Sequence, residues 1–118
     1  MSANAMVTVF SALADETRFD IVNRLASGEA TLSELAEHYD MSIQAVSKHL
    51  LVLEDAGVVS RRREAQRRPV RLEGKVFDLM AEWIERYRQN TEARYQRLDR
   101  LFAQLDEQTP DNDEGATT

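Results

Sequence analysis

The chain has no cysteine, two histidines, one tryptophan, two prolines and four glycines among 118 residues. Without cysteine there is no disulfide scaffold, no thiolate metal site and no thiol nucleophile. Two histidines leave little room for an imidazole metal cluster. The sequence shows no phosphate-binding glycine loop, no nucleophile elbow and no base–nucleophile pair, so it reads as no enzyme and as requiring no cofactor. Long hydrophobic runs are missing too. Nothing approaches the roughly 20 apolar residues that span a bilayer, and mean hydropathy is -0.51. Met1 to Met6 lack the basic and apolar segments of a secretory signal. The expectation is a cytoplasmic protein with no membrane partner. The length fits one domain, or one domain plus an extra helix. A monomer of this size buries only about two-thirds of its unfolded surface, so oligomerisation would help it.

What is present is a patterned charge. The formal net charge is -6. Residues 1–60 carry three basic and nine acidic groups. Residues 61–75 reverse that balance, with Arg61, Arg62, Arg63, Arg67, Arg68, Arg71 and Lys75 against Glu64 and Glu73. Residues 106–118 are acidic again, through Asp106, Glu107, Asp111, Asp113 and Glu114. An acidic protein with one compact basic segment can still bind a polyanion, because the local field decides. The last stretch has almost nothing apolar, so residues 107–118 read as a disordered acidic tail after a domain of residues 1–106.

Apolar spacing gives the elements. Met6, Val9, Phe10 and Leu13 make a first helix over about 4–14. Asp15 caps a second, over 16–26, whose apolar face is read as Phe19, Val22, Leu25 and Ala26. Thr31 and Glu34 form a capping box for a short third helix bearing Leu32, Leu35, Ala36 and Tyr39. After the tight connection Asp40-Met41, Ser42 caps a fourth helix with the stripe Val46, Leu50 and Leu53. Gly57 stands where a C-terminal glycine cap belongs. The period then shortens to that of two strands, 58–63 and 69–73, where Pro69 suits an edge. The turn between them lacks glycine, which argues for a long loop over a two-residue turn. From Lys75 a long helix follows. Ile84, Tyr87, Thr91, Arg94, Leu98, Leu101 and Leu105 step by three and four, broadened by Trp83, Tyr95 and Phe102. Such a helix would be about 45 Å long, and part of its stripe should face another chain. Asn90-Thr91 is a possible break. The fold class is mainly α with a small hairpin: a winged helix-turn-helix, ordered α-α-α-α-β-β-α.

The fourth helix also has a polar side. At ~100° per residue, with Val46 at zero, Gln44, Ser47, Lys48 and Leu51 lie between about 100° and 200°, away from the core. Gln pairs bidentately with adenine, Ser and Lys tolerate several bases, and Leu51 suits a thymine methyl. Ser42, with the free N–H groups behind it, can hold a phosphate, and Ser33 could do the same. Ile43 and His49 are weaker candidates; His49 sits at the margin of the core face. His38 reads as solvated. In the hairpin, Arg61 and Arg62 are candidate backbone contacts in a register that the sequence does not fix, while Arg67 and Arg68 sit at the tip in either register. The candidate dimer residues are Phe10, Leu13, Trp83, Tyr87, Leu98, Leu101 and Phe102.

Leu13-Ala14-Asp15-Glu16-Thr17-Arg18 resembles the "LADETR" opening of the ArsR-type family of winged-helix repressors. Ser42 to Leu53 resembles its "S-x-x-x-V-S-K-H-L-x-x-L" recognition helix, and Ala56-Gly57-Val58-Val59 follows as its "AGLV". The resemblance covers about residues 6–105. It implies a homodimer, joined through the first and last helices, that represses transcription by occupying an operator of imperfect twofold symmetry in double-stranded DNA. An inducer, protein or small molecule, stays unnamed. Metal-sensing members carry a cysteine pair where this chain has Thr31 and Ser33, and the chain resembles the cysteine-free branch, with Ala81-Glu82-Trp83-Ile84-Glu85-Arg86-Tyr87-Arg88 after the wing. Two other readings stay open. One is an interaction module that keeps the fold for dimerisation. The other is a metal-responsive repressor with a carboxylate site, Asp78, Glu82 and Glu85, on the last helix.

Overall fold

The computed structural model describes residues 2–64 and 66–108. Its elements are α1 (Ala3–Leu13), α2 (Glu16–Leu25), α3 (Leu32–Ala36), α4 (Ile43–Asp55), β1 (Val59–Arg61), β2 (Val70–Leu72) and α5 (Gly74–Gln108). The chain falls into two compact units, Met1–Met80 and Ala81–Thr118. The first holds the core and the hairpin. The second is the remainder of α5, which runs through Asn90 and Thr91 without a break. There the Thr91 hydroxyl donates to the Tyr87 carbonyl at 2.9 Å, a bond within the helix. Nearly all of the expected acidic tail lies outside the described residues.

Each short helix begins on a side-chain cap. Ser2, Asp15, Thr31 and Ser42 accept from the backbone N–H of Ala5, Arg18, Glu34 and Ala45, respectively. Such a cap stabilises a helix by about 1 kcal/mol. Glu34 completes the box by accepting from the Thr31 N–H at 2.8 Å. At the other end of α4, Gly57 N–H bonds the Glu54 carbonyl and Val58 N–H the Leu53 carbonyl. Gly57 has φ +80, the left-handed conformation that this helix ending requires. Val58 and Leu53 are both fully buried beside it.

The core of the first unit joins Val9 and Ala12 of α1, Ile21, Val22 and Leu25 of α2, Leu35 of α3, Val46, Leu50 and Leu53 of α4, and Val58, Val59 and Val70 around the hairpin. The α4 stripe is as expected, and so are Val22 and Leu25 of α2, but Phe19 and Ala26 are not in that face. Phe19 is 56% exposed, whereas Ile21 is fully buried. Facing Ile21, Val22 and Leu25 inward places Phe19 about 100° off the buried direction.

The strands are shorter than expected and antiparallel, pairing Val59 with Leu72, Ser60 with Arg71 and Arg61 with Val70. Val70 also exchanges two backbone hydrogen bonds with Ala30, at 2.7 and 3.2 Å, so the start of β2 is stitched to the segment before α3. The hairpin tip corrects the expectation of a long loop. Glu64 and Arg67 exchange both backbone hydrogen bonds, 3.0 and 2.9 Å, and leave only two residues between them. The Arg62 N–H donates to the Pro69 carbonyl at 3.0 Å, so pairing continues almost to the tip.

Truncation separates the two α2 residues. Ile21→Ala empties a fully buried site and should cost about 2–5 kcal/mol. Phe19→Ala should stay within about 0.5 kcal/mol, as exposed positions do. Urea unfolding followed by circular dichroism measures both. Equal losses would restore Phe19 to the core.

Candidate nucleic-acid interface

Burying Val46, Leu50 and Leu53 completely fixes the rotation of α4. Gln44 and Lys48 are then exposed, Leu51 and Ile43 are about half exposed, and Ser47 is partly buried at the edge of that face. Ser42 is exposed at the helix start, its hydroxyl already bonded to the Ala45 N–H at 3.1 Å. Ser33 is exposed on α3, and so is His38. His49 faces elsewhere. The Arg18 guanidinium donates to its Nδ1 at 3.3 Å, and Asp15 lies 3.8 Å from the same nitrogen. Arg18 also donates to the Ala12 carbonyl at 2.6 Å, so one side chain links the end of α1 to α2 and α4. This placement makes His49 a bridge to α2.

The register of the hairpin is now fixed. Val59 is buried, and Arg61 shares its side, with its guanidinium 3.6 Å from Glu54 of α4. Ser60 lies on the other side, where its hydroxyl donates to Glu73 at 2.6 Å. Arg62 is exposed and bonds Glu29 at 2.8 Å and Glu64 at 3.4 Å. Arg67 is exposed and bonds Glu34 at 2.9 Å. Arg68 and Arg63 are exposed and have no ion pair among the described residues. A cleft of about 550 Å³ brings Arg61, Arg67 and Arg68 beside Thr31, Ser33 and Glu34 at the start of α3. The spacing arguments missed Arg63 as a free cation and the carboxylates Glu29 and Glu34 as partners of the wing. Those pairs join residues 33 apart, for which no local pattern exists.

The dimer candidates divide between the two units. In the first, Leu13 packs against the core and Phe10 is partly buried. The missed neighbour Val7 is 66% exposed on α1. In the second, Trp83, Tyr87, Leu98, Leu101 and Phe102 keep between 41% and 64% of their surface exposed, as do Ile84, Tyr95 and Leu105. Trp83 and Tyr87 stack with centroids 5.9 Å apart. Among the described residues no three His, Asp or Glu side chains converge as metal ligands, and no helix is long and apolar enough to cross a membrane.

A recognition helix held by its apolar stripe, a capped helix before it and an arginine-bearing hairpin after it define a winged helix-turn-helix DNA-binding domain. A family profile described as a helix-turn-helix domain matches residues 13–62. The transcriptional repressor SdpR of Bacillus subtilis is 39% identical over 61 residues, which are 52% of this chain and 68% of SdpR. The crystal structure of an ArsR family transcriptional regulator, RHA00566, superposes with a TM-score of 0.71 at 32% identity, covering 78% of this chain and 95% of that one. A homodimeric winged helix-turn-helix domain from Mycobacterium bovis, described as a possible ArsR-family regulator, gives 0.60 at 27% identity over 73% and 80% of the two chains. The chain belongs to the ArsR-type family of helix-turn-helix transcriptional repressors.

Three carboxylates accept hydrogen bonds at helix starts and between helices. The Arg18 N–H lowers the pKa of Asp15, the Tyr39 hydroxyl and then Arg24 lower that of Asp20, and the Thr31 N–H lowers that of Glu34. Tyr39, which donates to Asp20 at 2.6 Å, is pushed up to about 12, first by burial and then by that bond. A carboxyl with a lowered folded pKa contributes stability above its unfolded value and loses it as pH falls through the folded one. The melting temperature should therefore hold between about pH 7 and 5 and drop below about pH 4. Asp20→Asn should melt lower at neutral pH, with the gap to wild type closing in acid. Thermal melts across this range check it; a constant gap would show that ionised Asp20 adds nothing.

Proposed function

We propose that the chain is a homodimeric repressor that occupies promoter DNA at an imperfect inverted repeat. In this reading α4 enters the major groove, and Gln44, Ser47, Lys48 and Leu51 meet base edges. Ser42 and the N–H groups behind it hold a phosphate; Ser33 and Ile43 lie beside that contact. The wing tracks the backbone through Arg62, Arg67 and Arg68, with Arg61 behind them. His49 acts from the rear, keeping α4 on α2. The observation that carries this reading is the outward polar row of α4, whose opposite face is fully buried. The partner surface is the apolar stripe of α5, supplemented by α1, and the homodimeric neighbour supports it. The signal is read as something other than a metal, because Thr31 and Ser33 offer hydroxyls where the family's metal sensors carry cysteines. The protein works by binding and not by catalysis, in the cytoplasm where promoters are.

Selection of bound fragments from genomic DNA would supply the operator, and titrations of operator and scrambled duplex then separate the contacts. Gln44→Ala should cost about 1–3 kcal/mol on the operator and little on scrambled DNA. Replacing Arg67 and Arg68 together by Ala should weaken both and lower the salt slope by roughly one unit per lost phosphate contact. Equal losses on both duplexes for Gln44→Ala would remove it from base readout.

Sedimentation at micromolar concentration should give about 27 kDa, twice the chain's 13.5 kDa. Leu98→Glu with Leu101→Glu should shift it toward the monomer and weaken operator binding. A wild-type monomer that holds operator tightly would overturn the dimer.

A further inference from the structure

Two of the exposed arginines of the wing are already paired in the free protein. Arg67 donates to Glu34 at 2.9 Å and Arg62 to Glu29 at 2.8 Å. Both carboxylates come from the segment that leads into and starts α3, and all four side chains are at least one-third exposed. Glu34 uses one oxygen, Oε1, for two purposes: it accepts from the Thr31 N–H to cap α3 and from the Arg67 guanidinium. The wing does not need these pairs to be placed. Its strands are fixed by the β1–β2 ladder and by the two backbone bonds between Val70 and Ala30.

We infer that Glu34 and Glu29 are internal competitors for phosphate, which set the DNA affinity of the wing by holding Arg67 and Arg62 in the free protein. This inference rests on the proposed contact between wing and DNA backbone. For Arg67 or Arg62 to reach a phosphate, it must leave a carboxylate at hydrogen-bond distance, and that carboxylate then remains near the polyanion. Arg68 and Arg63, with no ion pair among the described residues, meet phosphate without this exchange. An exposed ion pair contributes at most about 1 kcal/mol, so each competitor should reduce affinity by roughly two- to five-fold.

The capping box makes the test clean, because glutamine serves at its third position as well as glutamate. Glu34→Gln removes the charge that holds Arg67 and keeps the bond to Thr31. Glu29→Gln lies outside the box and provides an independent variant. The probe is a fluorescein-labelled duplex of scrambled sequence, titrated by anisotropy with the full chain, after circular dichroism melts show each variant folded. Glu34→Gln and Glu29→Gln should each bind roughly two- to five-fold tighter than wild type. In the Arg67→Ala background, Glu34→Gln should gain clearly less than it does in the wild-type background. The inference is overturned if Arg67→Ala weakens binding while neither glutamine variant strengthens it. An equal gain from Glu34→Gln in both backgrounds would also overturn it, since Glu34 would then repel DNA without acting through Arg67. If Arg67→Ala changes nothing, the wing contact itself fails and the competition falls with it.

Discussion

The complete burial of one face of α4 is the constraint on which the first unit depends. Val46, Leu50 and Leu53 expose no surface. At helical spacing they form one stripe, and α1, α2, α3 and β1 all pack on α4 or continue from it. A helix with one face sealed has no rotational freedom left. Its other face is thereby set, and that face carries Gln44, Lys48 and Leu51. The same apolar burial that folds the domain therefore aims the outward side chains proposed to meet DNA. Truncating Leu50 would be felt twice, once as a cavity and once as a loosened recognition helix. Arg18 adds a polar stop from behind, through the Ala12 carbonyl and His49.

Entry into the recognition helix is controlled as closely as its rotation. Ser42 caps its start, Gly57 its end, and the Thr31–Glu34 box begins the helix before it. Each cap satisfies N–H or carbonyl groups that would otherwise be left open at a helix end. They set where α3 and α4 begin and where α4 ends, and residues 37–42 connect the two helices. Glu34 then extends this local chemistry outward, because the oxygen that closes the box also receives a wing arginine.

Physical range explains which parts of this structure could be read from the sequence. The α4 stripe, the caps at Asp15, Thr31 and Ser42 and the glycine ending at Gly57 all act within one or two helical turns, and their signals stand in consecutive residues. The α2 face stays ambiguous in the sequence because Phe19, Ile21, Val22 and Leu25 suit two rotations of a ten-residue helix. Contacts made elsewhere break that tie: Asp20 binds Tyr39, and Arg18 reaches α1 and His49. The tip of the wing lacks the glycine that signals a tight turn, yet Glu64 and Arg67 close one through their backbones. The pairs Arg62–Glu29 and Arg67–Glu34 are invisible to any periodicity, since the chain must fold before they meet.

The charge distribution shows how an acidic chain can serve as a DNA-binding protein. At physiological salt a charge is felt over about 8 Å. The net charge of -6 therefore governs solubility and behaviour at a distance, whereas binding depends on what lies within one such length of a phosphate. On the proposed contact the exposed arginines of the wing come within that range, and Glu29 and Glu34, bonded to two of them, come with them. A wing of unpaired arginines would bind any duplex, and the genome offers non-specific sites in great excess. On the inferred competition, pairing half of the rim internally lowers the part of the affinity that carries no sequence information. In that reading the part carried by α4 is left untouched. On the inferred competition, acidity in the body of the chain is then part of how the protein selects DNA, because Glu34, which caps α3, and Glu29, just before it, hold wing arginines that would otherwise meet any duplex.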